Sequence, residues 1–344
     1  MKTCVWTIEE ANEAICVIYR DNPNITYREA ASVLNATFAT EWWDMERVRD
    51  RKRKIERQAR KASAPQIVDV TETVTTKGLK KILTIADLHF PHHREDIYEI
   101  FEKHILNVDA VVFAGDIFDN ESLSSFKSIS KGNFKDDLVD FYFFIKNLLS
   151  RNVKNVPVYI IRGNHEERLA SYIANNQQTQ LNEFINPQVM QMLVDGFSIY
   201  EGYTEIRFEP IKNITYVNNW FLNINDSVII CHQKDYHKPK LKTVCEGILY
   251  FMEMGEKFDS VILAHMHVSG YTSYMGKHGY NIPCMCKPQE YANNGKFKYR
   301  PQSYGYMIVG LNENGKFDIN ETKINHLKEQ YRQIPEDVVY NINI

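Results

Sequence analysis

Two patterns of apolar and polar residues divide the chain, and the change between them falls near residue 80. Residues 1–62 read as helical. Thr7-Ile8-Glu9-Glu10 has the form of a capping box that opens one helix, and Thr26-Tyr27-Arg28-Glu29 opens a second, short one through about Leu34. After Asn35–Thr40 a third helix is predicted from Glu41 to about Lys61. Residues 63–79 are poor in large side chains and contain a proline and several threonines, so they read as a linker with space for a short edge strand.

From residue 80 onward, short apolar runs alternate with helical stretches. Predicted strands at 81–86, 110–114 and 156–161 are followed by helices near 95–106, 136–150 and 166–195. That order is βαβ patterning and predicts a parallel sheet. Runs at 204–209, 213–217, 220–224 and 227–231 are short and closely spaced, which predicts an antiparallel sheet. Residues 241–255 read as a helix and 260–264 as a strand, while 303–310 and 316–323 form a hairpin turning at Asn314-Gly315. The expected organisation is a helical module at 1–62, a linker at 63–79, an α/β domain at 80–325 and a tail at 326–344.

Charge changes this picture at one place. The formal net charge is −3, but residues 47–61 hold nine basic and two acidic residues, a net +7, leaving −10 for the other 329. The basic side chains Arg47, Arg49, Arg51, Lys52, Arg53, Lys54 and Arg57 go nearly all round the third helix. That distribution suits contact with phosphates better than reading one face of bases. A short helix, a brief turn and a longer basic helix outline a helix-turn-helix module, with nucleic acid, DNA in particular, as the expected partner. The competing reading is a solvated charged helix. Trp42-Trp43 is expected to fill the module's core rather than to stack on bases.

Composition excludes several classes. Hydrophobic content of 44% and charged content of 25% fit a globular chain. No apolar stretch approaches the roughly 20 residues of a membrane span, so no membrane association is expected. The first residues carry acidic side chains inside their apolar part and do not resemble a signal peptide. Six cysteines in 344 residues make no disulfide framework, and Cys284-Met285-Cys286 lacks a second pair at zinc-ligand spacing. Reduced thiols and a cytoplasmic location are the expectation. Nothing in the sequence sets the oligomeric state.

Five short segments carry the chemistry, and each follows an apolar run. They are Asp87-Leu88-His89, Gly115-Asp116-Ile117-Phe118-Asp119, Gly163-Asn164-His165-Glu166, His232-Gln233 and His265-Met266-His267. Strand ends in an α/β sheet are where such folds place ligands. Oxygen and imidazole donors in this number suit two divalent cations.

In that order the segments resemble the calcineurin-like metallophosphoesterase pattern over roughly residues 80–325. The resemblance implies a four-layer α-β-β-α sandwich of two mixed sheets, joined here to a small all-α N-terminal domain. It implies a first metal on Asp87, His89, Asp116 and His267 and a second on Asp116, Asn164, His232 and His265, with Asp116 bridging. His165 would face the substrate and serve the leaving oxygen, oriented by Asp119 in preference to Glu166. Mn²⁺ is the expected ion, with Fe, Zn²⁺, Co²⁺ and Mg²⁺ as alternatives. One departure is Ala264 where the family's last motif carries glycine.

The resemblance leaves the substrate open among branches. Ser/Thr protein phosphatases of the family share Arg162-Gly163-Asn164-His165-Glu166 but carry Asp-Arg-Gly where this chain has Asp119-Asn120-Glu121. The lost arginine argues against them. Repair nucleases of the family carry a similar Gly115–Asp119 motif and, in some members, His-Gln at the fourth. Hydrolysis of DNA by a metal-activated hydroxide is therefore the leading expectation, in a tethered enzyme like some carried by phages. Small-molecule or cyclic-nucleotide phosphodiesterases and phosphomonoesterases are alternatives, with residues 166–200 long enough for a lid. A metal-stabilised, non-catalytic DNA-binding scaffold is the reading from another class.

Overall fold

A computed structural model describes residues 7–40, 43–63, 73–74, 80–124, 132–176, 188–237, 239–289 and 301–328. The chain divides into two units, Met1–Val68 and Asp69–Ile344.

The first unit holds helices α1 (Ile8–Asp21), α2 (Tyr27–Thr37) and α3 (Met45–Ser63). Both capping boxes form. Thr7 Oγ1 accepts from Glu10 N at 3.2 Å and the Glu10 carboxylate accepts from Thr7 N at 2.7 Å, with the same pair of bonds between Thr26 and Glu29. Each such cap stabilises its helix by about 1 kcal/mol. Ala11, Ile15, Ala30, Ala31, Leu34, Trp43 and Val48 make the core.

The third helix begins later than Glu41. The Asn35 side chain bonds both backbone groups of Trp43, at 2.8 and 2.9 Å, which holds that residue outside the helix with its indole in the core. Asp44 then caps α3 by accepting from Arg47 N at 2.8 Å. Glu41 and Trp42 lie outside the described residues. The basic residues of α3 divide into two kinds. Arg51 Nε donates to Asn12 Oδ1 at 2.7 Å, and Lys52 Nζ stands 3.7 Å over the Tyr19 ring. Both are half-buried beside the stripe of Val48 and Ile55, so they belong partly to the unit's own packing. Arg47, Arg53 and Lys54 are exposed and Arg49 is half-buried, while the Arg57 side chain lies outside the described residues.

The second unit runs β1 (Thr73–Val74), β2 (Lys81–Ile85), α4 (Ile97–Ile105), β3 (Ala110–Phe113), α5 (Phe134–Leu149), β4 (Val158–Ile161), α6 (Arg168–Asn176), α7 (Val189–Asp195), β5 (Phe197–Glu201), β6 (Thr204–Phe208) and β7 (Ile214–Val217). It continues with β8 (Phe221–Ile224), β9 (Val228–Cys231), α8 (Lys240–Glu253), β10 (Ser260–Leu263), β11 (Gly270–Tyr274), β12 (Lys277–Asn281), β13 (Gly305–Leu311) and β14 (Phe317–His326). Two six-stranded mixed sheets form, in the orders β14-β13-β2-β3-β4-β7 and β1-β8-β9-β10-β12-β11.

The central strands β2, β3, β4, β9 and β10 are apolar at nearly every position because both of their faces are covered. Successive residues alternate between layers. Leu83, Ile85, Val111, Phe113, Val158 and Ile160 pack with α4, α5 and α7, through Ile97, Phe101, Phe141, Ile145 and Leu193. Ile82, Ala110, Val112 and Ile161 point the other way and meet Val228, Ile230 and Ile262 of the second sheet. Ile229, Cys231, Val261 and Leu263 face Val244, Ile248 and Phe251 of α8. Three apolar layers thus separate four layers of structure, α-β-β-α. Ala264 is fully buried in the layer between the sheets, directly before His265-Met266-His267.

The runs from 204 to 231 do not form one antiparallel sheet. β6 pairs with β5 in a separate hairpin, β7 joins β4 in parallel, and β8 pairs antiparallel with β9 in the other sheet. Only three residues, Asn218-Asn219-Trp220, separate β7 from β8, yet the chain changes sheets there. The single helix expected over 166–195 is two, α6 and α7, with 177–187 outside the described residues. The β11–β12 hairpin turns at Met275 and Gly276, both in the left-handed region (φ 49° and 75°).

Candidate active site

The five chemical segments leave the C-terminal ends of β2, β3, β4, β9 and β10. β2, β3 and β4 are parallel neighbours in one sheet, and β9 and β10 are parallel neighbours in the other. Stacking the sheets brings the five ends together. The backbone turns sharply there. Asp87, His89, Asp116, His265 and His267 all adopt positive φ, between 49° and 70°. Each such residue costs about 1–3 kcal/mol, which the surrounding bonds must offset. Those bonds include His89 N to Asp116 O at 2.9 Å, His165 N to Asp116 Oδ1 at 2.8 Å and His265 N to Asp87 Oδ2 at 3.1 Å. Two glycines make the close approach feasible. A Cβ on Gly115 (φ 80°) would stand 2.6 Å from His232 Nδ1, and one on Gly163 would stand 2.3 Å from Asp116 N.

The donors gather into two groups. In the first, Asp87, His89 and His267 bring one ligand atom each within 4.8 Å of one another; in the second, Asp116, His232 and His265 do the same. Asn164 Oδ1 joins the second group, 3.2 Å from His232 Nε2. Asp116 Oδ2 lies 3.2 Å from His232 Nε2 and 4.0 Å from His89 Nε2, between the groups.

The donor set fits cations on an internal argument. His89 Nδ1 is 3.1 Å from Asp119 Oδ1, so it carries the proton and Nε2 has a lone pair, which meets His267 Nε2 at 3.1 Å. His232 Nδ1 donates to Ala114 O at 2.8 Å, so its Nε2 lone pair faces Asp116 Oδ2 and Asn164 Oδ1, two further acceptors. Asp87 Oδ1 is buried without a hydrogen-bond partner, 3.3 Å from His267 Nε2. At the second group acceptors face acceptors, and only a proton or a cation between them reconciles the arrangement.

Electrostatics point the same way. Burial works against a charge on His232, but the Asp116 carboxylate outweighs it and pushes the ring up to about 10. Burial and the charge of His232 bring His265 down to about 4. Burial opposes ionisation of Asp116 and Asp119, yet the histidines around them hold both carboxyls well below the usual range. Protonated imidazoles thus take the part that metal cations would take.

His165 stands beside these groups. Its Nδ1 is 2.6 Å from Asp119 Oδ1 and its Nε2 is 3.7 Å from Asp116 Oδ2. Glu166 does not reach the ring. Its carboxylate accepts from the backbone N–H of Asp116, Ile117, Phe118 and Gly163, at 2.9, 2.8, 3.2 and 2.8 Å, and so fixes the turn that carries Asp116. His93 packs between Phe90 and Phe144, whereas His92 is half-exposed with its Nε2 3.6 Å from Glu121 Oε2.

Three features escaped sequence reasoning. Arg168, the first residue of α6, reaches His165 and Asp119. Its place three residues after His165 was the available signal. Gln302 donates to His267 Nδ1 at 2.8 Å from the segment before β13, 35 residues away, and nothing local announces it. Cys284 and Cys286, read as isolated, form a buried group with His267, whose Nδ1 is 3.9 Å from Cys286 Sγ. The sequence pattern looked for a second cysteine pair, whereas the neighbour is a histidine from another strand end.

The sequence profile of the calcineurin-like phosphoesterases matches residues 80–269, more than half of the chain. The chain belongs to that family. As a calcineurin-like phosphoesterase it is a metal-dependent phosphoester hydrolase. Solved structures similar to it include a conserved Streptococcus pneumoniae TIGR4 protein described as a predicted phosphoesterase, with 12% identity over 73% of this chain and 100% of that one and a TM-score of 0.29. Chaetomium thermophilum Vps29 follows at 11% identity over 72% and 95%, TM-score 0.32. A structure described as a novel archaeal phosphodiesterase gives 15% over 72% and 99%, TM-score 0.31. Likeness at that level says nothing of this phosphoesterase's substrate. No curated protein matches the chain.

Proposed function

We propose that this calcineurin-like phosphoesterase is a phosphodiesterase that cleaves DNA, with Mn²⁺ as its ion. Asp87, His89, Asp116 and His267 would hold one cation, and Asp116, Asn164, His232 and His265 the other. When bound, two such cations neutralise charge on the phosphate and make water a nucleophile near neutral pH. The chain's own residues do the rest. Asp119 fixes the His165 tautomer from Nδ1, which leaves Nε2 directed at the centre for the leaving oxygen. Glu166 holds the Asp116 turn rigid. The five described cysteines are free thiols, which suits a reducing, cytoplasmic setting, and no described helix is long and apolar enough to cross a membrane.

The observation that carries the DNA reading is the net +7 of residues 47–61, with Arg47, Arg53 and Lys54 exposed on α3. Phosphate contacts from such side chains raise the local concentration of substrate without taking part in bond cleavage. The full-length protein with Arg47→Gln, Arg53→Gln and Lys54→Gln tests it. The salt dependence of DNA affinity should flatten by about 2 to 3 in log–log slope, close to 0.9 per lost phosphate contact. Hydrolysis of a small chromogenic diester should stay unchanged. Unaltered DNA affinity and slope would remove the tether.

A further inference from the structure

Arg168 belongs to none of the five segments, yet it is the charged side chain that touches His165 at its outward nitrogen. Nη1 donates to the Asp119 carbonyl at 2.6 Å and lies 3.7 Å from Asp119 Oδ1, and Nη2 is 3.1 Å from His165 Nε2. His165 Nδ1 faces Asp119 Oδ1 at 2.6 Å and carries its proton there, so Nε2 accepts from Arg168. That same Nε2 is 3.7 Å from Asp116 Oδ2, the oxygen lying between the two donor groups. The guanidinium therefore covers the one atom of His165 that looks into the centre.

Two further facts bear on its role. Asn120, next to Asp119 in the chain, adds no charge, and its amide donates to the His165 carbonyl at 3.0 Å. Among the described residues, the hydrogen bonds of Arg168 use two of its five N–H groups, and the side chain keeps 17% of its surface exposed. A planar, permanently charged fork with spare donors at the rim of a phosphoester site matches phosphate oxygens in shape and charge.

We propose that Arg168 is a substrate-binding residue: it leaves His165 Nε2 and takes a non-bridging oxygen of the phosphoryl group. One movement supplies positive charge to the phosphate and frees the Nε2 lone pair to take up a proton from water, which Nε2 then gives to the leaving oxygen. This rests on the family's phosphoester hydrolysis and not on the DNA reading.

The test compares wild type, Arg168→Lys and Arg168→Ala in the full-length, Mn²⁺-loaded protein. It reads bound metal, calorimetric binding of inorganic phosphate, and kinetics on a chromogenic phosphodiester with and without added guanidinium ion. Arg168→Ala should keep its metal, bind inorganic phosphate more weakly and lose about 10²-fold in kcat/KM, as for loss of one charged transition-state donor. Guanidinium should restore part of that loss, and Arg168→Lys, which keeps the charge but not the fork, should fall between. Phosphate binding and kcat/KM equal to wild type would overturn the proposal. So would a loss that follows metal loss and resists guanidinium, which would make Arg168 a brace for Asp119. If the wild type hydrolyses no phosphodiester, that reading of the activity fails by itself, and the phosphate isotherms still decide Arg168.

Discussion

Replacing Glu166 by Gln removes one oxygen from a carboxylate that serves four backbone donors. Oε1 accepts from Ile117 N and Phe118 N, and Oε2 accepts from Asp116 N and Gly163 N, in a side chain only 3% exposed. Glutamine keeps one acceptor oxygen and turns an NH₂ toward the other two N–H groups. Two buried donors left without an acceptor cost about 1–3 kcal/mol each, so the substitution should cost about 2–6 kcal/mol. Burial and then the Asp116 carboxylate push the Glu166 carboxyl up to about 7 from 4.5, against the pull of its four donors. Its ionisation therefore lowers the stability of the chelator-treated protein as pH rises from 4.5 through 7. The penalty of Glu166→Gln should be largest at pH 5.5, where the native carboxyl is neutral and keeps both oxygens as acceptors. It should shrink at pH 8, where ionisation has already cost the native protein stability that the non-titrating glutamine variant never loses. Scanning calorimetry of the full-length protein reads this directly. At about 2–4 °C per kcal/mol, the transition of the phosphoesterase unit should fall by about 5–20 °C at pH 5.5 and by less at pH 8. Mn²⁺ affinity should fall about 10–100-fold as well, because the freed N–H groups belong to the turn that holds Asp116 at positive φ. A fall below about 2 °C at pH 5.5, or an equal fall at both pH values, would refute the reasoning.

Two further outcomes follow from the site. His232 is held protonated up to about 10 by Asp116, but ligation needs its Nε2 lone pair, so cation binding must displace a proton. Mn²⁺ affinity should therefore rise tenfold per pH unit below that value, with a proton released into the buffer; calorimetry in buffers of different ionisation enthalpy checks it. In the chelated protein the same proton stabilises the fold fully below 6.5, a contribution lost as pH rises through about 10. With a cation on His267 Nε2 the ring proton sits on Nδ1 and the Gln302 amide turns its oxygen to accept it, so Gln302→Leu, which removes that partner, should lower Mn²⁺ affinity about 10–100-fold with little change in fold, read by metal titration and circular dichroism. Unchanged affinity would show that Gln302 does not orient that ring.

The strand positions were legible because burial on both faces makes each run apolar, as in Ala110–Phe113 and Ser260–Leu263. For the same reason the sequence could not say which residue faces which layer. Val111 and Val112 are both valine, and one packs on helices while the other packs on the opposite sheet. Nor could it place β7 and β8 in different sheets, since hydrogen-bond partners leave no trace in a period-2 pattern.

The chemistry divides in a similar way. The chain by itself determined the kinds of donor and their order, because each donor segment is short and directly follows a strand, so Asp87 and His89 share one strand end and His265 and His267 share another, the latter two going to different donor groups. Only the packed elements of the tertiary structure decided that His232 would face Asp116 and Asn164, that Asp119 would serve both His89 and His165, and that Glu166 would bind the turn rather than the histidine. They also brought Arg168, Gln302 and the Cys284–Cys286 pair to their histidines. Those contacts depend on distances between elements far apart in the chain, which are set by how apolar layers pack and which no local pattern encodes.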